Sequence, residues 1–482
     1  MDNQILQGVI IMLMMIGGSG FALLQFSKNR ITSAFYIVIL LGFLLRVYCS
    51  LDPYLHEWDE RFHALVAKNL IENPFKPTLY KFPFFEYDFK SWQSNHVWLH
   101  KQPLTLWGIA LSIKIFGVSA FAVRIPSILL STFCIWFTFL IGKKMFNPRV
   151  GFWAAFFLSV NGLVIEITSG RVTTDHVDLF FMFFIELGIL LSVLYQENPR
   201  RYLLYFIGVS IGAGILCKWL PAFIVLPVFF VLNYKQGELF SISKKMGLIL
   251  LVSCFVFLPW QIYTSQTFPQ EYWWEQLFNI LHMTEDIEGF GNPWWYFIDM
   301  ARMVWNELIY LAFGWFIYLI YQRRSNQNLL AILVWIVIPY IFFSMVSTKM
   351  QGYVLFTAPA VFIVLALFAE RLLDSPKNTN SIYNKISIGL LVVIVLLSFR
   401  YGVERVKPFS KKNEASWSIR IEKLAEENPS KLIVINEPRY IEAMFRFGVA
   451  VYEKSPTEEE LLKWKNKGYK ILIRDGDDYS VF

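Results

Sequence analysis

The stretch ITSAFYIVILLGFLLRVYCS, residues 31–50, is an apolar run with a single charged side chain, Arg46. About 20 such residues cross the roughly 30 Å hydrocarbon core of a bilayer as an α-helix. We count about twelve comparable stretches, over residues 4–26, 31–50, 122–142, 150–167, 177–196, 202–217, 220–234, 246–263, 303–321, 328–346, 353–373 and 385–399. The sequence therefore predicts a polytopic α-helical membrane protein with about 12 transmembrane helices.

The composition supports this prediction and excludes a soluble globular protein. Of the 482 residues, 56% are hydrophobic and only 17% are charged. Charged residues concentrate beyond residue 400, which predicts a transmembrane domain over 1–400 and a small soluble domain over 401–482. The net charge of +7 comes largely from basic residues beside apolar stretches, so it indicates membrane topology and no nucleic acid partner.

The basic residues of alternate short loops set the orientation, because cytoplasmic loops are enriched in Lys and Arg. One set of loops is rich in them: Lys28, Arg30, Lys143, Lys144, Arg149, Arg200, Arg201, Lys235, Lys244, Lys245, Arg323, Arg324, Arg371, Lys377 and Lys385. The opposite short loops carry only Arg171, Lys218 and Lys349. The first set is therefore predicted to be cytoplasmic, and the long loops 51–121 and 264–302 extracytoplasmic together with the tail.

Two features of the outer segments follow from sequence pattern. Residues 59–70 and 103–116 have the composition of helices lying at the membrane surface. The tail alternates apolar runs with amphipathic ones, which predicts a β-α-β-α-β order and a small α/β domain. All six histidines fall on the predicted outer face or its boundary: His56, His63, His96, His100, His176 and His282. This clustering suggests chemistry there, although polar residues also simply avoid lipid.

The first candidate site residues lie just outside the second apolar stretch, in the sequence HEWDER over 56–61. Asp59 and Glu60 could act as a general base or hold a metal, or they could only complement the dipole of a helix that starts there. His96 and His100 have the spacing of metal ligands on one helix face, but Pro103 disfavours a continuous helix. Lys101 could bind a phosphate or extend to the membrane surface.

Further candidates follow along the chain. Asp175 and Arg171 share a short outer loop, where a carboxylate is costly unless it is paired or functional. Lys218, and Lys349 with Tyr353, lie at the same predicted face. Together with Lys101 and Arg171, these lysines would provide four cations for an amphiphile with an anionic head and a hydrocarbon tail.

The order of these elements resembles the GT-C membrane glycosyltransferases, especially family 39, which contains the bacterial aminoarabinose transferases of lipid A and the protein O-mannosyltransferases. The resemblance covers about residues 31–370. It rests on the order and sidedness of several short matches: Asp59-Glu60, Lys101 with Pro103, Arg124-Ile125-Pro126-Ser127, Asp175, Lys218 with Pro221, and Lys349 to Tyr353 followed by Pro359.

The resemblance implies transfer of a sugar from a polyprenyl-phosphate donor to an acceptor on the outer face of the bacterial inner membrane. The acceptor class stays open between lipid A, a glycan and a protein hydroxyl. The implied catalytic residues are Asp59, as the base of an inverting transfer, Glu60 and Asp175. The implied donor-binding residues are Arg61, Lys101, Arg171, Lys218, Lys349 and Tyr353.

The sequence also departs from the family pattern. Arg61 follows the Asp-Glu pair directly, His100 stands where aminoarabinose transferases have Glu, and Asn292 stands where a His is typical. A divalent metal (Zn, Mg or Mn) is left open, with His100, His282 and Glu288 as its candidate ligands. The competing class is a lipid or glycan transporter or flippase. Transporters tend to place ionisable residues near the middle of the membrane on broken helices, often with internal repeats. The sequence has no such repeat, and its candidate residues lie at one interface beside a large outer loop.

Overall fold

The computed structural model describes residues 3–173, 175–287, 289–323, 326–374, 382–408, 418–427, 431–476 and 478–482. Most of the described chain is helical. The helices are α1 (Asn3–Ser27), α2 (Ile31–Cys49), α3 (Asp59–Leu70), α4 (Pro103–Phe116), α5 (Ala120–Met145), α6 (Pro148–Val160), α7 (Gly162–Thr168), α8 (His176–Glu197), α9 (Arg201–Lys218), α10 (Val225–Asn233), α11 (Leu239–Thr267), α12 (Pro269–Thr284), α13 (Tyr296–Val304), α14 (Ile309–Gln322), α15 (Gln327–Met345), α16 (Ala358–Leu373), α17 (Ile382–Val406), α18 (Ser418–Glu427), α19 (Tyr440–Phe447) and α20 (Glu458–Asn466).

Within the described ranges, nine helices are long and apolar enough to cross a membrane, or up to 11 if two bent pairs each form one span. The bends are 56° between α6 and α7 and 109° between α13 and α14. This count is lower than the predicted twelve. One reason is that the stretch 220–234 starts after Trp219, whose φ of 82° ends α9, and continues as a short 3-10 turn and the nine-residue α10.

The break between α6 and α7 is stabilised by a buried arginine. Backbone groups freed inside a membrane protein need internal partners, because lipid offers none. The guanidinium of Arg46 on α2 donates to the carbonyls of Leu158 and Ser159, at 3.3 and 2.9 Å, where α6 ends. It also donates to the carbonyl of Gly42 at 3.0 Å and to the hydroxyl of Ser131 at 2.5 Å. Arg46 therefore ties α2, α5 and the end of α6 together.

Replacing Arg46 with lysine is expected to lower the stability of the protein by about 2 kcal/mol. One ammonium cannot reach acceptors spread over three helices, so roughly two hydrogen bonds worth about 1 kcal/mol each are lost. Thermal unfolding of the detergent-solubilised variant measures the effect. Arg30→Lys, at an exposed position, is the matched control. Equal unfolding temperatures for the two variants would contradict this role of Arg46.

The outer segment between α2 and α5 contains the two predicted helices, and the structure confirms both over the predicted bounds, as α3 and α4. Pro103 occupies the first turn of α4, where its missing N–H costs nothing. The position of these helices at a membrane surface stays a prediction. Since α3 begins at Asp59, the candidate base lies in its first turn.

The tail forms a four-stranded sheet in the order β2-β1-β3-β4. Its strands are β1 (Leu432–Ile435), β2 (Ala450–Val451), β3 (Lys470–Asp475) and β4 (Asp478–Val481). β1 is parallel to β2 and β3, with Ile433 opposite Ala450 and Ile471, while β4 is antiparallel to β3. The predicted β-α-β-α-β order is confirmed, and β4 adds a strand. Helix α17 continues past residue 400 to Val406.

The tail packs against the outer segment that carries α3. The ammonium of Lys68, at the end of α3, donates to the carbonyls of Met444 and Phe445 at the end of α19. A cation at a helix C-terminus satisfies otherwise unpaired carbonyls. The ring of Tyr452 stacks on Tyr80 at a centroid distance of 5.2 Å. The tail therefore supports the helix on which Asp59 lies.

Candidate active site

Asp59 and Lys101 form a partly exposed ion pair between two helix starts. Their Oδ2 and Nζ atoms are 3.3 Å apart, and the two side chains are 17% and 22% exposed. Asp59 opens α3, and Lys101 lies just before α4. Both groups can therefore be reached by a ligand, which distinguishes Asp59 from the other candidate carboxylates.

The charge state of Asp59 follows from its surroundings. Burial alone would raise its pKa, but the positive charge of Lys101, aided by His63 and His100, outweighs burial and lowers the pKa to about 2. The carboxyl group is consequently ionised at neutral pH and able to accept a proton.

Glu60, the next residue, has a different environment. Its side chain and that of Arg124 are fully buried, and they form a two-pronged ion pair with distances of 2.6 and 2.8 Å. The backbone N–H of His56 also donates to Glu60 Oε2 at 2.7 Å. Burial raises the pKa of Glu60, but Arg124 outweighs it and keeps that pKa well below its usual range. These contacts use the Glu60 carboxylate to hold the first turn of α3.

Arg124 uses all five of its N–H groups. Besides Glu60, it donates to the carbonyls of Ser50, Asp52 and Tyr54 at 3.1, 2.7 and 2.8 Å. It therefore joins α5 to both the loop after α2 and the start of α3. Gly170 passes close to the same pair with φ of +72°, and a Cβ there would overlap the Glu60 carboxylate.

Asp175 lies at the start of α8 and is fully buried with His63 of α3. Asp175 Oδ1 lies 2.8 Å from His63 Nδ1 and also accepts from the backbone N–H of His176. His176 in turn lies 2.8 Å from the Ser127 hydroxyl and 3.4 Å from Glu60 Oε1. The start of α8 thus holds α3 through two histidine–carboxylate contacts, in which each helix provides one histidine. The signal for His63 in the sequence is its position four residues after Asp59 on the same predicted helix.

Lys218 brings a second cation to this region. Its ammonium forms an ion pair with Asp178 and lies 4.6 Å from the ring centroid of Tyr353. Asp59 and Lys101 are within electrostatic range of it. The predicted residues Asp59, Lys101, Lys218 and Tyr353 therefore lie in one neighbourhood.

Three predicted donor-binding cations have partners elsewhere in the fold. Arg171 contacts Asp52 at 3.1 Å and donates to the carbonyls of Val406 and Cys49. Arg61 lies over the rings of Phe62 and Tyr440. Lys349 donates to the carbonyls of Asn292 and Ser347 at 2.8 and 3.3 Å, and burial lowers its pKa.

Of the candidate metal ligands, the two that the structure describes contact different polar groups. His100 Nδ1 lies 3.2 Å from Glu275 Oε2, whereas His282 Nδ1 lies 3.2 Å from the Phe278 carbonyl. The Phe278 ring contacts both imidazoles, at centroid distances of 5.6 and 4.5 Å. Glu288 lies outside the described residues. No group of three His, Cys, Asp or Glu side chains suited to a metal occurs among those described.

The chain is similar in sequence to known proteins over part of its length. A model of the dolichyl-phosphate-mannose-protein mannosyltransferase family matches residues 100–263. The undecaprenyl phosphate-alpha-4-amino-4-deoxy-L-arabinose arabinosyl transferase 1 of Pseudomonas fluorescens (strain Pf0-1) is 24% identical over 323 residues, which are 63% of this chain and 55% of that protein. The chain thus spans about half the length of this curated relative.

Two solved structures resemble the chain over most of its length. ArnT from Cupriavidus metallidurans bound to undecaprenyl phosphate has a TM-score of 0.65 at 14% identity, over 90% of this chain and 87% of that one. The archaeal oligosaccharyltransferase AglB from Archaeoglobus fulgidus has a TM-score of 0.63 at 12% identity, over 93% and 70%. At these identities the likeness establishes the fold.

Proposed function

We propose that this chain, a multi-pass membrane protein with the GT-C fold of ArnT and AglB, transfers a sugar from a polyprenyl-phosphate-linked donor to an acceptor hydroxyl. The observation that carries the proposal is the accessible carboxylate of Asp59, paired with Lys101 and within electrostatic range of Lys218. The distribution of basic loop residues favours a site on the extracytoplasmic face.

The chemistry follows from these charges. Asp59 accepts the proton of the acceptor hydroxyl while its oxygen attacks the anomeric carbon. The bond between that carbon and the phosphate oxygen breaks, with inversion, and polyprenyl phosphate leaves with the bonding electrons. Lys101 and Lys218 neutralise the charge that develops on the phosphate. Because protonation of Asp59 cancels its attraction for Lys101, that lysine becomes free to pair with the leaving phosphate.

The remaining residues have positioning roles in this proposal. Glu60 with Arg124, and Asp175 with His63, are fully buried and fix the first turn of α3. We therefore propose that Asp59 alone is the reacting base and that Glu60 and Asp175 orient it. The acceptor hydroxyl would belong to lipid A, a glycan or a protein.

The direct test is incubation of the purified protein with a panel of polyprenyl-phosphate sugars, following release of polyprenyl phosphate. Parallel reactions after chelation, with Mg²⁺, Mn²⁺ or Zn²⁺ restored, test the metal hypothesis. Release from one donor, lost in Asp59→Asn, would support the proposal and identify the sugar. No release from any donor would contradict it and favour the alternative, lipid or glycan transport, for which lipid translocation is the assay.

Replacing Lys101 with methionine is expected to lower kcat/KM for the donor by at least about tenfold and to change its pH dependence. The side chain keeps its volume and loses the charge that holds down the pKa of Asp59. That pKa then rises, by about 1 to 3 units for a carboxylate that loses such a neighbour. Since only ionised Asp59 accepts a proton, the acid limb of the pH profile moves to higher pH.

The matched control is Lys114→Met, at an exposed position of α4, which is expected to leave both quantities unchanged. An unaltered kcat/KM and acid limb in Lys101→Met would rule out its pairing with Asp59 during the reaction.

A further inference from the structure

The imidazole of His63 is fully buried and uses only one of its two nitrogens. Nδ1 lies 2.8 Å from Asp175 Oδ1, whereas Nε2 is buried without a hydrogen-bond partner within the described chain. The neighbouring indole of Trp98 does not supply one, because its Nε1 donates to the carbonyl of Trp92 at 2.9 Å. A buried polar atom is costly when it is unpaired, so a partner for Nε2 is expected.

The contact with Asp175 determines which nitrogen of His63 carries the ring hydrogen. Asp175 Oδ1 also accepts from the backbone N–H of His176, so this oxygen acts as an acceptor towards both groups. We therefore assign the hydrogen to Nδ1. A second hydrogen on Nε2 would be a buried cationic donor without an acceptor, which costs more than an unpaired acceptor. Nε2 is thus an acceptor, and the partner that it lacks is a donor.

Asp59 is the residue that can provide this donor. It precedes His63 by four positions on α3, and side chains four residues apart are neighbours on a helix face. Helical side chains also tilt towards the N-terminus, so the His63 ring leans over the turn that Asp59 begins. The two side chains are within electrostatic range of each other.

The hydrogen-bonding character of Asp59 changes during the proposed reaction. As a carboxylate it has no hydrogen to donate, and it pairs with Lys101 at 3.3 Å. After taking the proton of the acceptor hydroxyl it is a neutral acid with one O–H donor. Its attraction for Lys101 is then lost, and its O–H group needs an acceptor. The unpaired Nε2 of His63 is such an acceptor, one helical turn away.

A partner for the protonated form also compensates for the weak basicity of Asp59. Burial raises the pKa of Asp59, but Lys101 outweighs burial and lowers that pKa to about 2. A general base is most efficient when its pKa lies near the working pH. A hydrogen bond that only the protonated carboxyl can make raises its pKa, and leaves the ionised resting form undisturbed.

We propose that His63 Nε2 accepts a hydrogen bond from the protonated Asp59 carboxyl, and that this bond helps Asp59 to take the proton of the acceptor hydroxyl. The proton moves from the acceptor oxygen to Asp59, and the electron pair of the broken O–H bond stays on the attacking oxygen. His63 remains neutral, with Asp175 orienting its ring. The inference rests on the proposed function, because it takes Asp59 to be the base.

The first test is His63→Asn, because asparagine keeps an N–H near the position of Nδ1 and has no atom at that of Nε2. The contact with Asp175 is therefore retained. We expect kcat to fall by at least about tenfold, the effect of one buried hydrogen bond. The donor KM is expected to change by less than about twofold and the unfolding temperature to stay near that of the wild type.

The matched control is His96→Asn, since His96 is partly exposed and its ring stacks on Tyr87 at a centroid distance of 4.6 Å. It is expected to leave kcat unchanged. A normal kcat in His63→Asn would overturn the inference and leave His63 with only its contact to Asp175.

Two variants of equal length keep the inference testable if His63→Asn does not fold. His63→Gln places an amide oxygen near the position of Nε2, whereas His63→Met has no acceptor there. Both lose the contact with Asp175, so a purely structural role of His63 affects them equally. We expect kcat of His63→Gln to exceed that of His63→Met by about fivefold or more. Equal kcat values would overturn the inference.

An unfolding experiment tests the contact without the transfer reaction. Asp59→Asn replaces the carboxylate with a neutral amide whose N–H can donate to Nε2, as the protonated acid would. Its effect on the unfolding temperature is expected to be more favourable with His63 present than in a His63→Asn background, by about 1–3 °C. Such a difference would support the contact even if the wild-type protein released no polyprenyl phosphate. Additive effects would refute the contact even in a protein that transfers sugar.

Discussion

The Asp59→Asn variant is expected to fold and insert normally while its kcat for sugar transfer falls by about 10²-fold to 10⁴-fold, the usual contribution of a general base. Asparagine has the shape of aspartate but cannot take the proton of the acceptor hydroxyl. The cost in stability is small, because the pair with Lys101 is partly exposed and such pairs contribute about 1 kcal/mol or less. Release of polyprenyl phosphate measures the first effect and thermal unfolding in detergent the second.

Asp299→Asn is the matched control for this experiment. Asp299 lies in the predicted second outer loop. Its side chain is 58% exposed and pairs with Arg302 at 3.2 Å. Its substitution is expected to change neither kcat nor the unfolding temperature. Normal sugar transfer by Asp59→Asn would mean that another group acts as the base, and would contradict the proposed mechanism at its central residue.

The helical membrane fold could be predicted from sequence because the cost of placing a residue in lipid is local. Each apolar stretch has its own transfer free energy, whatever it packs against. The bend between α6 and α7 was not predictable in this way. It depends on Arg46 reaching the end of α6 from α2, which is a tertiary contact.

The same distinction between local sequence signals and tertiary contacts applies to the candidate active site. Asp59 and Lys101 could each be identified as candidates, because ionisable residues beside an apolar stretch are conspicuous in sequence. Their pairing at 3.3 Å could not be derived, since a long loop separates them. The role of His63 was missed for the same reason. Its importance comes from its partner Asp175, which the fold brings from a distant segment.

Glu60 shows most clearly what could not be predicted from the sequence. In sequence it is indistinguishable from its neighbour Asp59, and both are carboxylates in the first turn of a helix. In the structure one side chain is 17% exposed and the other is fully buried against Arg124. Successive helical residues point about 100° apart, so adjacent carboxylates can have unrelated environments.

Replacing Arg124 with methionine is expected to lower the free energy of unfolding by about 3–5 kcal/mol, the usual cost of removing one partner of a buried ion pair. The variant would leave the Glu60 carboxylate buried without its counter-charge. It would also leave the carbonyls of Ser50, Asp52 and Tyr54 without the donors that Arg124 supplies. The yield of monodisperse protein in detergent and its unfolding temperature are the measurements.

The matched control is Arg400→Met, which removes an arginine that is 59% exposed and pairs at 3.0 Å with Glu404, itself 52% exposed. Its expected cost is about 1 kcal/mol or less, because water screens an exposed pair. A double variant, Arg124→Met with Glu60→Gln, should recover part of the loss by removing the unpaired charge, but not the part due to the three carbonyls. Equal unfolding temperatures for Arg124→Met and Arg400→Met would show that the buried pair does not anchor α3. The position of Asp59 would then depend on the two histidine–carboxylate contacts with the start of α8 and on the packing of the tail against α3.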